Sequence, residues 1–271
     1  MSYFYSNNRI GIMDTKYWGP SGWKLLHTIT FAHPSPTGQK KATLKRFFHS
    51  LPFVLPCKYC RASLTEYMDA LPIEDALEST APYALARWFW KIHNCVNDKL
   101  RKQHLKIEED PSFEDVKRFY LERMALSCSM SKFEGWEFLF SVAENHPYSK
   151  QSLTGKPMKD FPGKEHLAKA SNSDKNRWNV LTAEERLVYI HDFWTALPEL
   201  LPYKEWRTIW ESSTEDWSSR KTSLQTLWKK RCNLEEKVRT YASLCQELRA
   251  HRSGCSKSIR AKTCRKRRNY R

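Results

Sequence analysis

Apolar positions in the first half of the chain recur every three or four residues, which is the spacing of amphipathic helices. This pattern predicts helices over residues 20–33, 40–51, 56–68, 83–101 and 112–124. Prolines separate the first three, since Pro34 and Pro52 end two helices and Pro56 begins another. The stretch from Pro72 to Pro82 is predicted as a loop. These helices are sufficient for a small helical domain.

The second half repeats the helical pattern after a change of composition. Residues 147–176 are rich in Ser, Lys, Gly, Pro and Asn, which indicates a linker or a loosely packed stretch. Beyond it the spacing predicts helices over residues 183–197, 203–211 and 224–248. The predicted fold class is therefore all-α. The predicted organisation is an N-terminal segment (1–13), a first domain (14–145), a linker (146–177), a second, mainly helical domain (178–248) and a basic tail (249–271).

Composition and charge restrict the class of protein. The 271 residues include 11 Trp, 12 Tyr and 13 Phe but 8 Gly, which suits packed helices with aromatic cores. We find no apolar run of the roughly 18 residues that a membrane helix needs, and no signal-peptide pattern, so we expect a soluble, unsecreted protein. The net charge is +16, and residues 249–271 carry basic side chains without acidic ones. This tail is either a contact for nucleic acid or an acidic partner, or a solvated segment.

The cysteine pattern carries the clearest chemistry. Cys57-Lys58-Tyr59-Cys60 places two sulfurs one helical turn apart at a helix start, where the helix dipole favours a thiolate. Such a pair can cycle between dithiol and disulfide. The alternative is half of a zinc site in a helical zinc- or nucleic-acid-binding protein, but zinc needs four ligands. The six remaining cysteines never recur at two-residue spacing: Cys95, Cys128, Cys232, Cys245, Cys255 and Cys264.

A polar pair on a predicted helix suggests a partner for the cysteines. His93 and Asn97 project from one face of the 83–101 helix, beside Trp88 and Phe89. Polar groups that can bond the edge of a heterocycle, among aromatic rings that can stack on its face, are what a flavin pocket requires. Taken alone, such a pair is more often an ordinary surface or core feature.

The combination resembles the Erv/ALR family of FAD-linked sulfhydryl oxidases over residues 14–125. The resemblance rests on Gly19, Trp23, Leu26, His27, Phe47, Phe48, the segment from Pro56 to Cys60, Trp88, and His93-Asn94-X-Val96-Asn97-Asp98-Lys99-Leu100, in the family's order. It implies a four-helix bundle with a short fifth helix that binds FAD. It also implies an enzyme that forms disulfides in protein thiol substrates and reduces O2 to hydrogen peroxide.

The resemblance also implies individual roles. Cys60 is expected beside the isoalloxazine, and Cys57 is expected to be the more exposed sulfur that a substrate or shuttle thiol attacks. The expected cofactor-binding residues are Gly19, Trp23, His27, Trp88, His93, Asn94, Val96, Asn97, Lys99, Leu100 and Lys102, with a lysine facing the phosphates. The family commonly pairs through its first helices, so we expect a homodimer.

Two features depart from the cellular members of this family. A pair of cysteines that staples the fifth helix is missing, and a proline followed by an acidic-capped helix takes its place near residues 111–116. This is more similar to the versions from large DNA viruses and suggests virion assembly, in the host cytoplasm, the virus factory or the virion. Cys255 and Cys264 are the candidate shuttle pair, with unpaired tail cysteines as the alternative.

Overall fold

The computed structural model describes residues 13–105, 108–211, 215–236 and 240–252, which form helices joined by turns and loops. Those residues contain no strand, and none of their helices is long and apolar enough to cross a membrane. The α-helices are α1 (Thr15–Ala32), α2 (Gly38–Val54), α3 (Lys58–Ala70), α4 (Ile73–Glu78), α5 (Ala84–Lys102), α6 (Phe113–Met124), α7 (Trp136–Glu144), α8 (Asn172–Trp178), α9 (Ala183–Leu200), α10 (Lys204–Glu211), α11 (Arg220–Glu235) and α12 (Tyr241–His251).

The predicted bundle is confirmed in the first half of the chain. Helix α5 packs against α1 and α3, α3 packs against α2, and the short fifth helix α6 packs against α1. Local signals fix the helix starts: the Asp14 carboxylate accepts the Lys16 N–H at 2.9 Å at the start of α1. The Ser112 hydroxyl accepts the Asp115 N–H at 3.1 Å at the start of α6, as a serine cap should.

Three helix predictions need correction. The predicted 72–82 loop contains α4, whose first turn carries Glu74 and Asp75. Acidic side chains there stabilise a helix, because they interact favourably with the positive end of its dipole. Helix α2 does not end at Pro52 but includes it in its last turn and continues to Val54. The predicted 224–248 helix is two helices, because the Thr240 hydroxyl accepts the Ser243 N–H at 3.2 Å and starts α12 anew.

The sequence pattern missed two helices for opposite reasons. Every residue of α7 except Glu137 is buried. Apolar residues therefore lie on all sides of this helix, and the sequence lacks the three- and four-residue spacing of a one-sided apolar face. Helix α8 is short and polar, with Ser171 as its N-cap, and it lies within the stretch predicted as a linker. Both helices connect the two halves, since α7 packs against α1 and α8 packs against α3.

One hydrophobic core runs through both halves of the chain. Helix α9 lies along α2, where the rings of Phe47 and Phe193 stack with centroids 5.0 Å apart. Helix α7 approaches α1 closely, because a Cβ on Gly22 would lie 3.1 Å from the Phe138 ring. The domain boundaries at 145 and 178 stay predictions, but the core that they would divide is continuous.

Candidate active site

The two cysteines lie at the start of α3, as predicted. Cys57 is the N-cap residue, and its sulfur accepts the Cys60 N–H at 3.4 Å. Cys57 is 0% exposed and Cys60 is half-buried, so the expectation that Cys57 is the more exposed sulfur is wrong for this structure.

The second half of the chain covers the start of α3. The Lys58 ammonium donates to the carbonyls of Lys156 at 3.3 Å and Pro157 at 3.2 Å. Met158 continues this contact by donating its N–H to the carbonyl of Trp178 at 3.0 Å, which ties the segment to α8. The stretch predicted as a linker therefore contacts Lys58, next to Cys57, while Cys57 itself belongs to the buried hydrophobic core.

A buried cation lies one turn beyond the cysteines. The guanidinium of Arg61 donates to the carbonyls of Leu55 at 3.0 Å and Ser152 at 3.2 Å, and to the Asn179 side-chain oxygen at 2.5 Å. Burial lowers the pKa of Arg61 to about 10, against the opposing effect of Cys57 and Cys60. Burial also lowers the pKa of Lys58, with the nearby Arg61 charge adding to the effect. The environment of the pair is thus partly buried and positively charged.

An aromatic and histidine cluster joins α1 to α5. The Trp23 ring stacks on His93 with centroids 3.7 Å apart and planes at 8°. His27 Nε2 lies 3.1 Å from His93 Nδ1, and His27 Nδ1 is buried without a hydrogen-bond partner. Burial, followed by the repulsion of His93, lowers the pKa of His27 to about 3, so its ring is neutral. Phe89 and Tyr120 pack against the same ring at centroid distances of 4.8 and 5.3 Å.

A hydrogen bond brings this cluster's helix to the cysteine helix. The Lys99 ammonium of α5 donates to the Ser63 hydroxyl of α3 at 2.5 Å. Ser63 follows Cys60 by three residues, so the two share one side of α3. The α5 face that carries the predicted cofactor residues therefore adjoins the side of α3 that carries Cys60. The adjacent amide of Asn97 is buried and donates to Asp110 at 2.6 Å.

The remaining predicted cofactor residues differ in their surroundings. Trp88 is a buried core residue whose indole N–H donates to the Leu71 carbonyl at 2.7 Å. A Cβ on Gly19 would meet no atom within 4 Å, so no protein contact requires glycine there. Asn94, Val96 and Leu100 of α5 are half-buried, whereas Lys102 is exposed.

These residues fit a flavin. Stacked half-buried rings offer an aromatic surface, the unpaired His27 Nδ1 offers a buried polar atom, and basic residues occupy the last turn of α5. Sequence reasoning missed Ser63, Tyr120 and Arg61. Tyr120 could have been found from its helical spacing on α6, whereas Arg61 carried no sign of burial because a charged residue on a helix is usually solvated.

Metal binding gains no support here. Among the residues that the structure describes, no group of three or more His, Cys, Asp or Glu side chains could hold a metal ion. Within that part of the chain, the zinc alternative lacks the additional ligands that it needs beside Cys57 and Cys60. The candidate shuttle residues, Cys255 and Cys264, lie outside the described residues.

Comparison with known proteins assigns the family. Residues 20–118 match the model of the Erv1 / Alr family. The mitochondrial FAD-linked sulfhydryl oxidase ERV1 of Saccharomyces cerevisiae is 34% identical over 90 residues, which is 33% of this chain and 46% of that protein. A probable FAD-linked sulfhydryl oxidase of Acanthamoeba polyphaga mimivirus is 33% identical over 98 residues, or 36% of this chain and 68% of that protein. The chain belongs to the Erv1 / Alr family.

The Erv1 / Alr match covers the bundle and its site but leaves out the second half. A putative FAD-linked sulfhydryl oxidase of Invertebrate iridescent virus 3 is 30% identical over 96 residues, which is 34% of this chain and 62% of that protein. The chain thus spans about half the length of the yeast relative and about two thirds of these viral ones. No solved structure matches the chain significantly. Helices α7–α12 lie beyond the matched residues.

Proposed function

We propose that this Erv1 / Alr protein is an FAD-dependent thiol oxidase that forms disulfide bonds in protein substrates. The observation that carries the proposal is the Cys57–Cys60 pair at the start of α3, beside an α5 face with His93 and Asn97. The relatives' names as FAD-linked sulfhydryl oxidases support the same activity. O2 is the proposed final electron acceptor and hydrogen peroxide the product.

The chain's own side chains would hold the cofactor. The proposed contacts are Gly19, Trp23, His27, Trp88, His93, Asn94, Val96, Asn97, Lys99, Leu100 and Lys102. When bound, FAD supplies a two-electron acceptor that can pass the electrons on to O2. The neutral His27 presents an uncharged ring edge, since its pKa is lowered to about 3. Lys99 and Lys102 would offer positive charge to the phosphates of FAD.

The cysteine pair performs the thiol chemistry. A substrate thiolate attacks one sulfur of the Cys57–Cys60 disulfide, and a second substrate thiolate then attacks the mixed disulfide. The substrate loses two electrons and two protons and gains an S–S bond, while Cys57 and Cys60 become thiols. Cys60 is the proposed sulfur beside the cofactor, because it shares a side of α3 with Ser63, which Lys99 contacts. Attack at Cys57 requires a local movement, because Cys57 is fully buried in this structure.

Purified protein tests the proposal. We expect a yellow protein with flavin absorbance that consumes oxygen in the presence of dithiothreitol, and we expect Cys60→Ser to abolish this consumption. Cys245→Ser is the matched control, because Cys245 is a half-buried cysteine on α12 and should leave oxygen consumption unchanged. A colourless protein with stoichiometric zinc, or a Cys60→Ser variant with full activity, would overturn the proposal.

Partners and location form a second part of the proposal. The viral relatives support a protein of a large DNA virus that acts in the host cytoplasm or the virus factory, or within the virion during its assembly. The predicted homodimer must use a surface other than those that α7 and α9 cover on α1 and α2. A nucleic-acid or acidic partner of the basic tail stays a prediction.

A further inference from the structure

A second buried arginine lies near Arg61. Arg186, on α9, is 1% exposed and donates from Nε to the Phe53 carbonyl at 2.9 Å and from Nη1 to the Thr154 hydroxyl. Its Nη2 and the Nε of Arg61 are buried without a hydrogen-bond partner. The two guanidiniums are close enough for Arg61 to lower the pKa of Arg186, in addition to the larger effect of burial.

These two cations lack an ordinary counter-ion. No carboxylate in the described part of the chain acts on either guanidinium, and their hydrogen bonds go to carbonyl, amide and hydroxyl oxygens. Burying an uncompensated charge is costly, so buried cations are normally paired with anions. Arg61 lies in the same helical turn as the two sulfurs: its N–H donates to the Cys57 carbonyl at 2.9 Å, and its guanidinium reaches back to the Leu55 carbonyl, two residues before Cys57, at 3.0 Å. In the opposite direction to burial, Cys57 and, to a smaller extent, Cys60 raise the pKa of Arg61.

We propose that the buried guanidinium of Arg61 stabilises the thiolate of Cys57 in the reduced centre, that Arg186 adds to the positive charge around Arg61 from the same Ser152–Thr154 turn, and that the second half of the chain thereby influences the redox equilibrium of the pair. Arg61 is a positioning residue that acts through Cys57, and Arg186 acts through Arg61. The inference rests on the proposed function, because it concerns the same cysteine pair.

The redox consequence follows from charge balance. Reduction adds two electrons to the Cys57–Cys60 bond, the S–S bond breaks, and each sulfur leaves as a thiolate that takes up a proton according to its pKa. A nearby cation lets the Cys57 sulfur stay ionised and leaves one proton in solvent. Stabilising the reduced form in this way makes the disulfide a stronger oxidant of substrate thiols.

The arrangement depends on residues outside the family match. The oxygens that hold Arg61 include those of Ser152 and Asn179, and Arg186 belongs to α9, all beyond the matched residues 20–118. Two further cations near the pair are Lys58 of α3 and Lys156. Burial, the Arg61 charge and the Lys156 charge all lower the pKa of Lys58. The second half of the chain therefore supplies half of the buried cationic couple.

Glutathione redox buffers measure the effect on the holoprotein. The ratio of dithiol to disulfide at Cys57 and Cys60 is read by mass spectrometry after alkylation and digestion. Arg61→Gln and Arg186→Gln should each lower that ratio about tenfold at a fixed poise, which corresponds to about 30 mV. Arg61→Lys retains the charge and should stay within about twofold of the wild type. A purely structural role of Arg61 would instead make the Lys and Gln variants alike.

Arg231→Gln is the matched control. Arg231 is also a buried arginine of the second half of the chain, but its guanidinium pairs with Glu235 of α11 at 3.1 Å. The dithiol-to-disulfide ratio should therefore not change in this variant. Equal ratios in folded wild type and Arg61→Gln would overturn the inference. If both Gln variants fail to fold, the wild type alone tests the proposal. Its dithiol-to-disulfide ratio, plotted against pH, should change slope at a pH below the ordinary thiol pKa of about 8.5. The absence of that change in slope would refute the proposal. This equilibrium needs no oxygen consumption, so its failure is distinguishable from failure of the proposed oxidase activity.

Discussion

The neutral, buried His27 should make the free energy of unfolding depend on pH below about 6.5. Its pKa is lowered from 6.5 to about 3, chiefly by burial and then by His93. Between these two values the unfolded chain binds a proton that the folded chain excludes. The stabilising contribution is therefore fully present above about pH 6.5 and is lost as the pH falls toward 3. At pH 5 the loss amounts to about 2 kcal/mol, from a tenfold change in the unfolding equilibrium for each pH unit below 6.5.

Urea unfolding of the wild type and of His27→Phe measures this loss. Phe retains an aromatic ring among Phe31, Phe89 and Tyr120 but has no titratable nitrogen. We expect the wild type to lose about 2 kcal/mol more stability than the variant between pH 7.5 and 5. Any constant cost of the substitution cancels in this difference, as do the titrations of His33 and His146. Equal losses in the two proteins would refute the argument that His27 is excluded from protonation by the fold.

Two further predictions test how the second half of the chain docks on the bundle. Asn176→Ala removes a buried amide that donates to the Pro52 carbonyl at 3.0 Å. In chemical denaturation this substitution should lower the free energy of unfolding by about 1–3 kcal/mol. The control Asn172→Ala, at an exposed position, should change the free energy of unfolding by less than about 0.5 kcal/mol. Phe193→Ala empties a fully buried position against α2 and should cost about 3–5 kcal/mol, while Phe119→Ala, at a side chain 48% exposed, should cost far less. A small effect of Phe193→Ala would indicate that α9 does not share the core of the bundle.

Residue type and spacing predicted the helices of the first half and the position of the redox pair, while the family resemblance implied the bundle. Periodic apolar residues located both ends of α5 and α6 closely, since an amphipathic helix must repeat its apolar face to be buried, but α1 begins at Thr15, ahead of the start predicted at Pro20. The same reasoning failed for α7, because a helix that is buried on all sides carries no period. It failed for α4 because a six-residue helix offers too few turns to show one.

By itself, the sequence determined the chemistry of this protein: two sulfurs one turn apart at a helix start, with His93 and Asn97 on a second helix. Only the tertiary structure decided which sulfur is accessible and what surrounds it. Cys57 is buried as a member of the hydrophobic core, and Arg61 is a buried cation that donates hydrogen bonds to the distant Ser152 carbonyl and the Asn179 amide. Such long-range contacts depend on how two halves of the chain pack, which local spacing does not encode.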